Sequence, residues 1–228
     1  MSFWSMSTSA PISVIQNGLV LCLDAGNTKS YTGSGTTWTD LSRNGNNGTL
    51  TNGPAFNSGN NGAIVFDGTD DRVTVTNSIP ALNDLTIEIF LYPTVVDSTQ
   101  NIFFDQYLSL RFEISGSNKF NSHLGNGVSA WYYTSLQSVT TVTINTWYHV
   151  VLTRRGTTAT FYLNGIAENS LSVSSNATGT GNITLGQHTP DTNYAWAGKM
   201  GNVKVYSTAL TPSEILQNYN STKSRFGL

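Results

Sequence analysis

The densest chemistry in the chain is the segment FDGTDDRVTV at 66–75, where Asp67, Asp70 and Asp71 precede Arg72. Charged side chains make up only 11% of the residues, so three carboxylates this close together need a reason. One is backbone geometry. Gly68 supplies a positive φ, and Asp tolerates that region while bonding its own backbone. On that reading Asp67 to Asp71 form a tight hairpin turn between a strand holding Val65 and Phe66 and one holding Val73 and Val75. The other reason is a metal. A hard cation wants about six to eight oxygens from carboxylates and carbonyls on loops, and calcium is the ion such a set suits. Asp24 and Asn27 in LDAGN would join Asp67, Asp70 and Asp71 as ligands if the two loops meet. The hairpin is the first expectation and the calcium site the alternative.

A second group of residues suits sugar binding. Sugars present apolar faces ringed by hydroxyls, so a site for them pairs aromatic platforms with Asn, Asp and backbone donors. NSHLGNGVSAWYYTS supplies Asn121, His123, Asn126, Trp131, Tyr132 and Tyr133. GQHTPDTNYAWAGK supplies His188, Asp191, Asn193, Tyr194 and Trp196. Consecutive strand residues point to opposite faces, so only part of the Trp131–Tyr133 run can line one surface. The candidate ligand-binding set is Asn121, His123, Asn126, Trp131, Tyr133, Asp191, Asn193, Tyr194 and Trp196. The competing reading of each is that it fills a core or a subunit interface. His149, in the strand-like WYHVVLT, is expected to be a structural histidine. His123, His149 and His188 stand far apart and form no metal-spaced pair, and no Gly-x-Ser-x-Gly occurs.

These residues need a scaffold, and the composition suggests which. The 228 residues suffice for one large β domain. Apolar residues reach 38%, and Gly, Ser, Thr and Asn abound, which favours short strands and turns. The net charge is -2 and the 11 Lys and Arg are scattered, so the basic stripe that nucleic acid requires is missing. The single cysteine, Cys22, allows no internal disulfide framework and no cysteine zinc site, and its apolar setting GLVLCLDA predicts a buried thiol. No apolar run approaches the roughly 20 residues of a membrane span, and the first residues show no signal-peptide pattern.

From Gly18 onward, short apolar or alternating runs follow one another with turn signals between them. Asn-Gly recurs at Asn44, Asn47 and Asn52. In LTIEIFLYP, Leu85, Ile87, Ile89 and Leu91 share one face. This predicts an all-β antiparallel sandwich or barrel. One short helix is expected in LTPSEILQNYNSTK. Thr211 is its N-cap, Pro212 its first residue and Glu214 its capping-box partner, with Ile215, Leu216 and Tyr219 as the apolar stripe. Residues 1–16 read as an N-terminal arm and 17–228 as one domain. Phe3, Trp4 and Met6 in the arm suit docking onto another subunit, with an ordinary disordered terminus as the alternative.

Five segments stand in a fixed order: LDAGNTKSY with WTDLSRNGNNGTLTNGP; GAIVFDGTDDRVTV; LTIEIFLYP; NTWYHVVLTRRGTTATFYLNG; and ITLGQ with WAGKMGNVKVYSTALTPSEILQNYN. In that order they resemble the laminin-G-like family of the concanavalin A-like lectin/glucanase superfamily, from about Gly18 to Tyr219. The ending NYNSTKSRFGL also resembles structural proteins of marine tailed phages. The family resemblance implies a two-sheet jelly roll whose last strand pairs near the first. It also implies a binding role toward glycans, proteins or a calcium ion at the rim. Glucanases of the superfamily place alternating carboxylates on one strand, so that nucleophile and acid flank the glycosidic bond about 5 Å apart. Glu88, Glu113, Glu168 and Glu214 each lack an Asp or Glu two residues away. No catalytic residue is therefore assigned, and the chain is expected not to be an enzyme.

The combined expectation is a non-catalytic lectin-like module. It is displayed on a virion or another exterior assembly, as a capsid decoration or a fibre or adhesion subunit. It contacts surface glycans and is anchored through its arm to other subunits, as a homo-oligomer or in multivalent display that offsets weak single-site affinity. Its place is the virion surface or the extracellular space, with neither nucleic acid nor membrane as partner. The alternative is a free-standing or secreted calcium-dependent carbohydrate-binding module, with a glycoside hydrolase a distant third.

Overall fold

Residues 13–76, 83–96, 101–107, 109–125, 134–173, 181–188 and 194–228 are described by the computed structural model. They hold strands β1 (Leu19–Asp24), β2 (Thr37–Trp38), β3 (Gly48–Thr51), β4 (Ala55–Asn57), β5 (Ala63–Asp67), β6 (Arg72–Val75), β7 (Asp84–Pro93) and β8 (Asn101–Gln106). The chain continues through β9 (Leu110–Ile114), β10 (Lys119–Leu124), β11 (Thr134–Thr141), β12 (Tyr148–Arg155), β13 (Thr158–Leu163), β14 (Ile166–Ser172), β15 (Ile183–Leu185) and β16 (Ala197–Tyr206). Helix α1 (Pro212–Thr222) follows, then a 3-10 turn at Lys223–Phe226.

The strands form two eight-stranded antiparallel sheets. The first runs β14-β13-β12-β7-β16-β5-β4, with β1 also on β16, and the second runs β11-β10-β9-β8-β15-β6-β3-β2. The last strand pairs with the first, Asp24 opposite Asn202 and Leu21 opposite Val205. This is the expected jelly-roll sandwich. Asn164 and Gly165 both take positive φ, +50° and +81°, in the two-residue turn joining β13 to β14, as Asn-Gly hairpins require.

Period-two alternation builds the core. Leu85, Ile87, Ile89 and Leu91 of β7 face inward with Val150, Leu152, Val203 and Val205, against Phe103, Phe112 and Phe120 of the second sheet. Phe103 and Phe112 stack with centroids 5.7 Å apart. Each such side chain contributes roughly 1.5–3 kcal/mol on burial. Cys22 is buried, as expected, and burial pushes its thiol up to about 11.

The intervening residues of β7 are buried too, because a third layer covers them. Ile215 of α1, Leu210 and Tyr206 cluster with Val151 and Tyr162, and Ile15 and Leu19 pack onto them. Phe226 packs on Phe90 and Trp147. Helix α1 starts as the sequence predicts, with Thr211 and Glu214 in a capping box and Pro212 in the first turn. Its buried face differs from the predicted stripe. Leu216 is 45% exposed, whereas the polar Asn218 is fully buried beside Ile215. Asn218 is drawn inward because it donates to Glu88 Oε2 at 2.7 Å and accepts from the Ile15 amide at 2.8 Å.

FDGTDDRVTV is not a hairpin. β5 belongs to the first sheet, paired with β16 and β4, and β6 to the second, paired with β15 and β3. Residues 68–71 carry the chain across the sandwich edge. A hairpin and an inter-sheet corner need the same Gly and Asp geometry, so the local pattern does not separate them.

Candidate functional site

The outer face of the second sheet carries a group of hydrogen-bonded polar side chains. Alternation places it there. In β9, Leu110, Phe112 and Ile114 enter the core, which sends Arg111 and Glu113 outward. In β10, Phe120 and Leu124 enter the core, which sends Asn121 and His123 outward. Register then aligns them: His123 lies opposite Arg111, and Asn121 opposite Glu113. Ser135 of β11 lies opposite His123, and Asp105 of β8 opposite Arg111.

Two neighbouring networks result. His123 Nε2 lies 2.8 Å from Glu113 Oε1, and Asn121 Nδ2 donates to the same oxygen at 3.2 Å. Ser135 Oγ donates to Asn121 Oδ1 at 2.7 Å. Beside them, Arg111 Nε donates to Asp105 Oδ1 at 3.4 Å. His188 Nδ1 lies 3.1 Å from Asp105 Oδ2, and Arg111 Nη2 lies 3.0 Å from His188 Nε2. One tautomer satisfies both contacts: Nδ1 donates to Asp105 and Nε2 accepts from Arg111. Two tyrosines flank the row. Tyr107 is 41% exposed, and the rings of Tyr107 and Tyr194 stand 6.5 Å and 6.1 Å from that of His188.

Burial alone would raise the Glu113 carboxyl. The hydrogen bonds from His123 and Asn121 and the charge of Arg111 outweigh it, so the carboxyl is held below its ordinary value. A group ionised in this way accepts hydrogen bonds. It does not supply the proton that a general acid near neutral pH must give. Its second oxygen, Oε2, is buried and has no hydrogen-bond partner among the described residues.

The sequence-predicted residues are divided by the structure. Asn121, His123 and Tyr194 fall in or beside this face. Trp196 does not: it is fully buried, its ring 5.4 Å from that of Phe103 in the core, so it offers no platform. Asn126, Trp131, Tyr133, Asp191 and Asn193 lie outside the described residues, as do Phe3, Trp4 and Met6. Sequence reasoning missed Asp105, Arg111, Glu113 and Tyr107 as site members. The alternation in LRFEI, apolar at 110, 112 and 114, was the available signal for Arg111 and Glu113.

The acidic corner is a separate place. Carboxylate oxygens of Asp67, Asp70 and Asp71 come within 4.8 Å of one another. Asp71 Oδ2 accepts from the Asp67 amide at 2.9 Å, and Asp67 Oδ1 from the Thr69 amide at 2.7 Å. Burial raises the Asp71 carboxyl, and the charges of Asp67 and Asp70 add to the rise. Asp24 and Asn27 do not join this group. Asp24 pairs with Asn202 and Asp67 with Ala197, five residues apart along β16, or about 16 Å at the rise of a strand. Asp24 instead receives Arg225 Nη1 at 2.5 Å, and Asn27 accepts from the Lys29 amide at 3.0 Å.

A third polar cluster is sealed under α1. Lys204 Nζ donates to Glu88 Oε1 at 2.6 Å, and Asn218 bridges Glu88 and the Tyr206 hydroxyl. His149 lies between Phe90 and Tyr219, with centroids 4.5 and 5.5 Å away, and burial lowers its pKa. It is buried as expected of a structural histidine, but Nδ1 has no hydrogen-bond partner among the described residues.

A laminin-G-type family model, described as Concanavalin A-like lectin/glucanases superfamily, matches residues 67–216. The chain belongs to this superfamily. No curated protein matches it significantly. Among solved structures, the binding domain of Paraclostridial Mosquitocidal Protein 1 is similar at 15% identity and TM-score 0.74, over 90% of this chain and 52% of that one. Domain 4 of a GH43 extracellular arabinanase from Geobacillus stearothermophilus, solved with arabinotriose, is 16% identical with TM-score 0.70, over 88% of this chain and 98% of that one. The botulinum neurotoxin type G receptor binding domain is 16% identical with TM-score 0.67, over 90% and 51%. The chain thus spans about half the length of the toxin domains and nearly all of the arabinanase domain. At these identities the likeness establishes a shared lectin-like sandwich. Among the described residues of this superfamily member, no helix is long and apolar enough to cross a membrane.

Proposed function

We propose that the domain is a non-catalytic, lectin-like module that binds glycans on the outer face of its second sheet. The observation that carries this is the pair of neighbouring networks Ser135–Asn121–Glu113–His123 and Arg111–Asp105–His188, with Tyr107 and Tyr194 beside His188. It combines fixed donors and acceptors with aromatic rings, the pairing that sugar recognition uses. The solved arabinanase domain with arabinotriose gives the same fold a sugar-bound precedent. Glu113, ionised and bonded, suits recognition rather than acid catalysis.

The acidic corner fits a hard cation. Asp67, Asp70 and Asp71 would hold calcium, which would neutralise the charge crowding that raises Asp71. Display on a virion or other exterior assembly is the second element of the reading. Ile15 and Ser13 are tied to α1 through Asn218 and Gln217, so the chain leaves the domain on the layer opposite the proposed glycan face. An arm that docks Phe3, Trp4 and Met6 into another subunit would then present the second sheet outward.

The test is a glycan array probed with folded, labelled protein, in calcium and in chelator. Binding to a defined sugar supports the lectin reading. Folded protein that binds no glycan in either condition contradicts it and leaves the subunit role.

A further inference from the structure

The polar cluster sealed under α1 holds the parts of a covalent reaction. We propose that Lys204 and Asn218 join in an intramolecular isopeptide bond, with Glu88 as the catalytic carboxylate, and that the bond pins α1 to β16. The inference is independent of the glycan-binding reading.

The fold brings three groups to one point. Lys204 of β16 is the register partner of Glu88 of β7, and Asn218 reaches the same carboxylate from α1. Amine and carboxamide take separate oxygens: Lys204 Nζ donates to Oε1 at 2.6 Å, and Asn218 Nδ2 donates to Oε2 at 2.7 Å. The Asn218 carbonyl is polarised, because its Oδ1 accepts from the Ile15 amide at 2.8 Å, a fixed donor of the type that stabilises a developing oxyanion. Nδ2 also donates to the Tyr206 hydroxyl at 3.0 Å. Glu88 and Asn218 are fully buried and Lys204 is 3% exposed, so water, the competing nucleophile, is kept out. Holding the two reactants on one carboxylate turns a bimolecular aminolysis into an intramolecular one.

The ion pair is the state before the bond forms. Burial favours the uncharged Glu88 carboxyl, but the lowering influences led by the charge of Lys204 outweigh it, so the reactive neutral pair is rare. A rare state suffices for a reaction that occurs once per molecule. A proton passes from Nζ to Oε1, and the Nζ lone pair attacks Asn218 Cγ to form the C–N bond. Glu88 relays a proton from Nζ to Nδ2, the Cγ–Nδ2 bond breaks and ammonia leaves. The three ammonium and two carboxamide protons end as three on ammonia, one on the new amide and one on Glu88. No oxidant or cofactor enters the balance.

The test is to incubate the folded full chain for days at neutral pH, then unfold it, digest it with trypsin and weigh the fragments. The expected result is a fragment 200–223 that accumulates with time, uncut after Lys204 and lighter by one ammonia. Folded Glu88→Gln keeps both reacting groups and is expected to be cut there normally. Ammonia lost at an Asn-Gly pair leaves Lys204 cleavable and does not mimic the bond. Complete cleavage after Lys204 in incubated wild type overturns the inference. Conversion of Asn218 to Asp with Lys204 still cleavable also overturns it, because water is then the nucleophile. A bond formed at the wild-type rate in Glu88→Gln overturns the role of Glu88. The wild-type digest alone decides whether the bond forms, so a variant that does not fold leaves the inference open to refutation.

Discussion

Lys204 Nζ lies 2.6 Å from Glu88 Oε1, and both side chains are sealed between the first sheet and α1, 3% and 0% exposed. Asn218 completes the cluster by donating to the other Glu88 oxygen. Removing one partner of a buried ion pair strands the other charge, at a cost of about 3–5 kcal/mol. Lys204→Met is therefore expected to lose about 3 kcal/mol in urea unfolding. The double variant Glu88→Met/Lys204→Met is expected to recover a large part of that loss. A double variant less stable than either single one would contradict this account of the layer.

The same pair sets the acid limit of the fold. Burial opposes ionisation of Glu88, but the charge and hydrogen bond of Lys204, with His149 Nε2 3.4 Å away, bring its carboxyl down from 4.5 to about 2. Because the folded value lies below the unfolded one, the stabilisation is fully present above about pH 4.5. It is lost as pH falls toward 2. Glu113 shifts in the same direction. The urea midpoint is expected to drop across that window in wild type and less steeply in Lys204→Met, where the largest lowering influence on Glu88 is gone. Parallel profiles would show that another group controls acid unfolding.

Glu168 joins the free edges of the two sheets. Its carboxylate, on edge strand β14, accepts from the amides of Val139 and Thr140 on edge strand β11 at 2.6 and 2.7 Å, and from Thr140 Oγ1 at 2.5 Å. Unpaired edge amides are templates for strand addition. Glu168→Ala is expected to lower stability by about 1 kcal/mol. It is also expected to raise light scattering on mild heating, which Glu168→Gln, still an acceptor, does less. Unchanged scattering in Glu168→Ala would contradict a protective role.

Calcium at the acidic corner has a direct readout. A ligand that binds only the native state at about 100 times its Kd adds roughly 2.7 kcal/mol. The melting temperature is expected to rise with calcium in wild type and in Asp24→Asn, but not in Asp70→Asn/Asp71→Asn. A rise that survives in the double aspartate variant would place the ion elsewhere.

The sheets and the helix start were legible because each rests on a local rule. Leu85 to Leu91 alternate, Asn164-Gly165 turns, and Thr211 with Glu214 caps. What failed depended on which strands meet. Asp67 to Asp71 looked like a hairpin because a corner uses the same residues. Asp24 seemed able to reach them until the register put it beside Asn202 in the middle of β16, five residues from Ala197, the partner of Asp67. Trp196 looked like a platform because its neighbours are loop-like, yet Phe103 needed a core partner. Glu113 looked isolated because its partners, His123 and Asn121, come from the adjacent strand. A site built by cross-strand register leaves only half of its signal in any one segment.

The central claim is that the outer face of the second sheet is the binding face. It is tested most directly by titrating the best glycan from the array into isotopically labelled protein and following the amide resonances. The expected result is shifts concentrated at Arg111, Glu113, Asn121, His123 and Ser135. Shifts confined to the acidic corner at 67–71, or to the α1 layer, would contradict it.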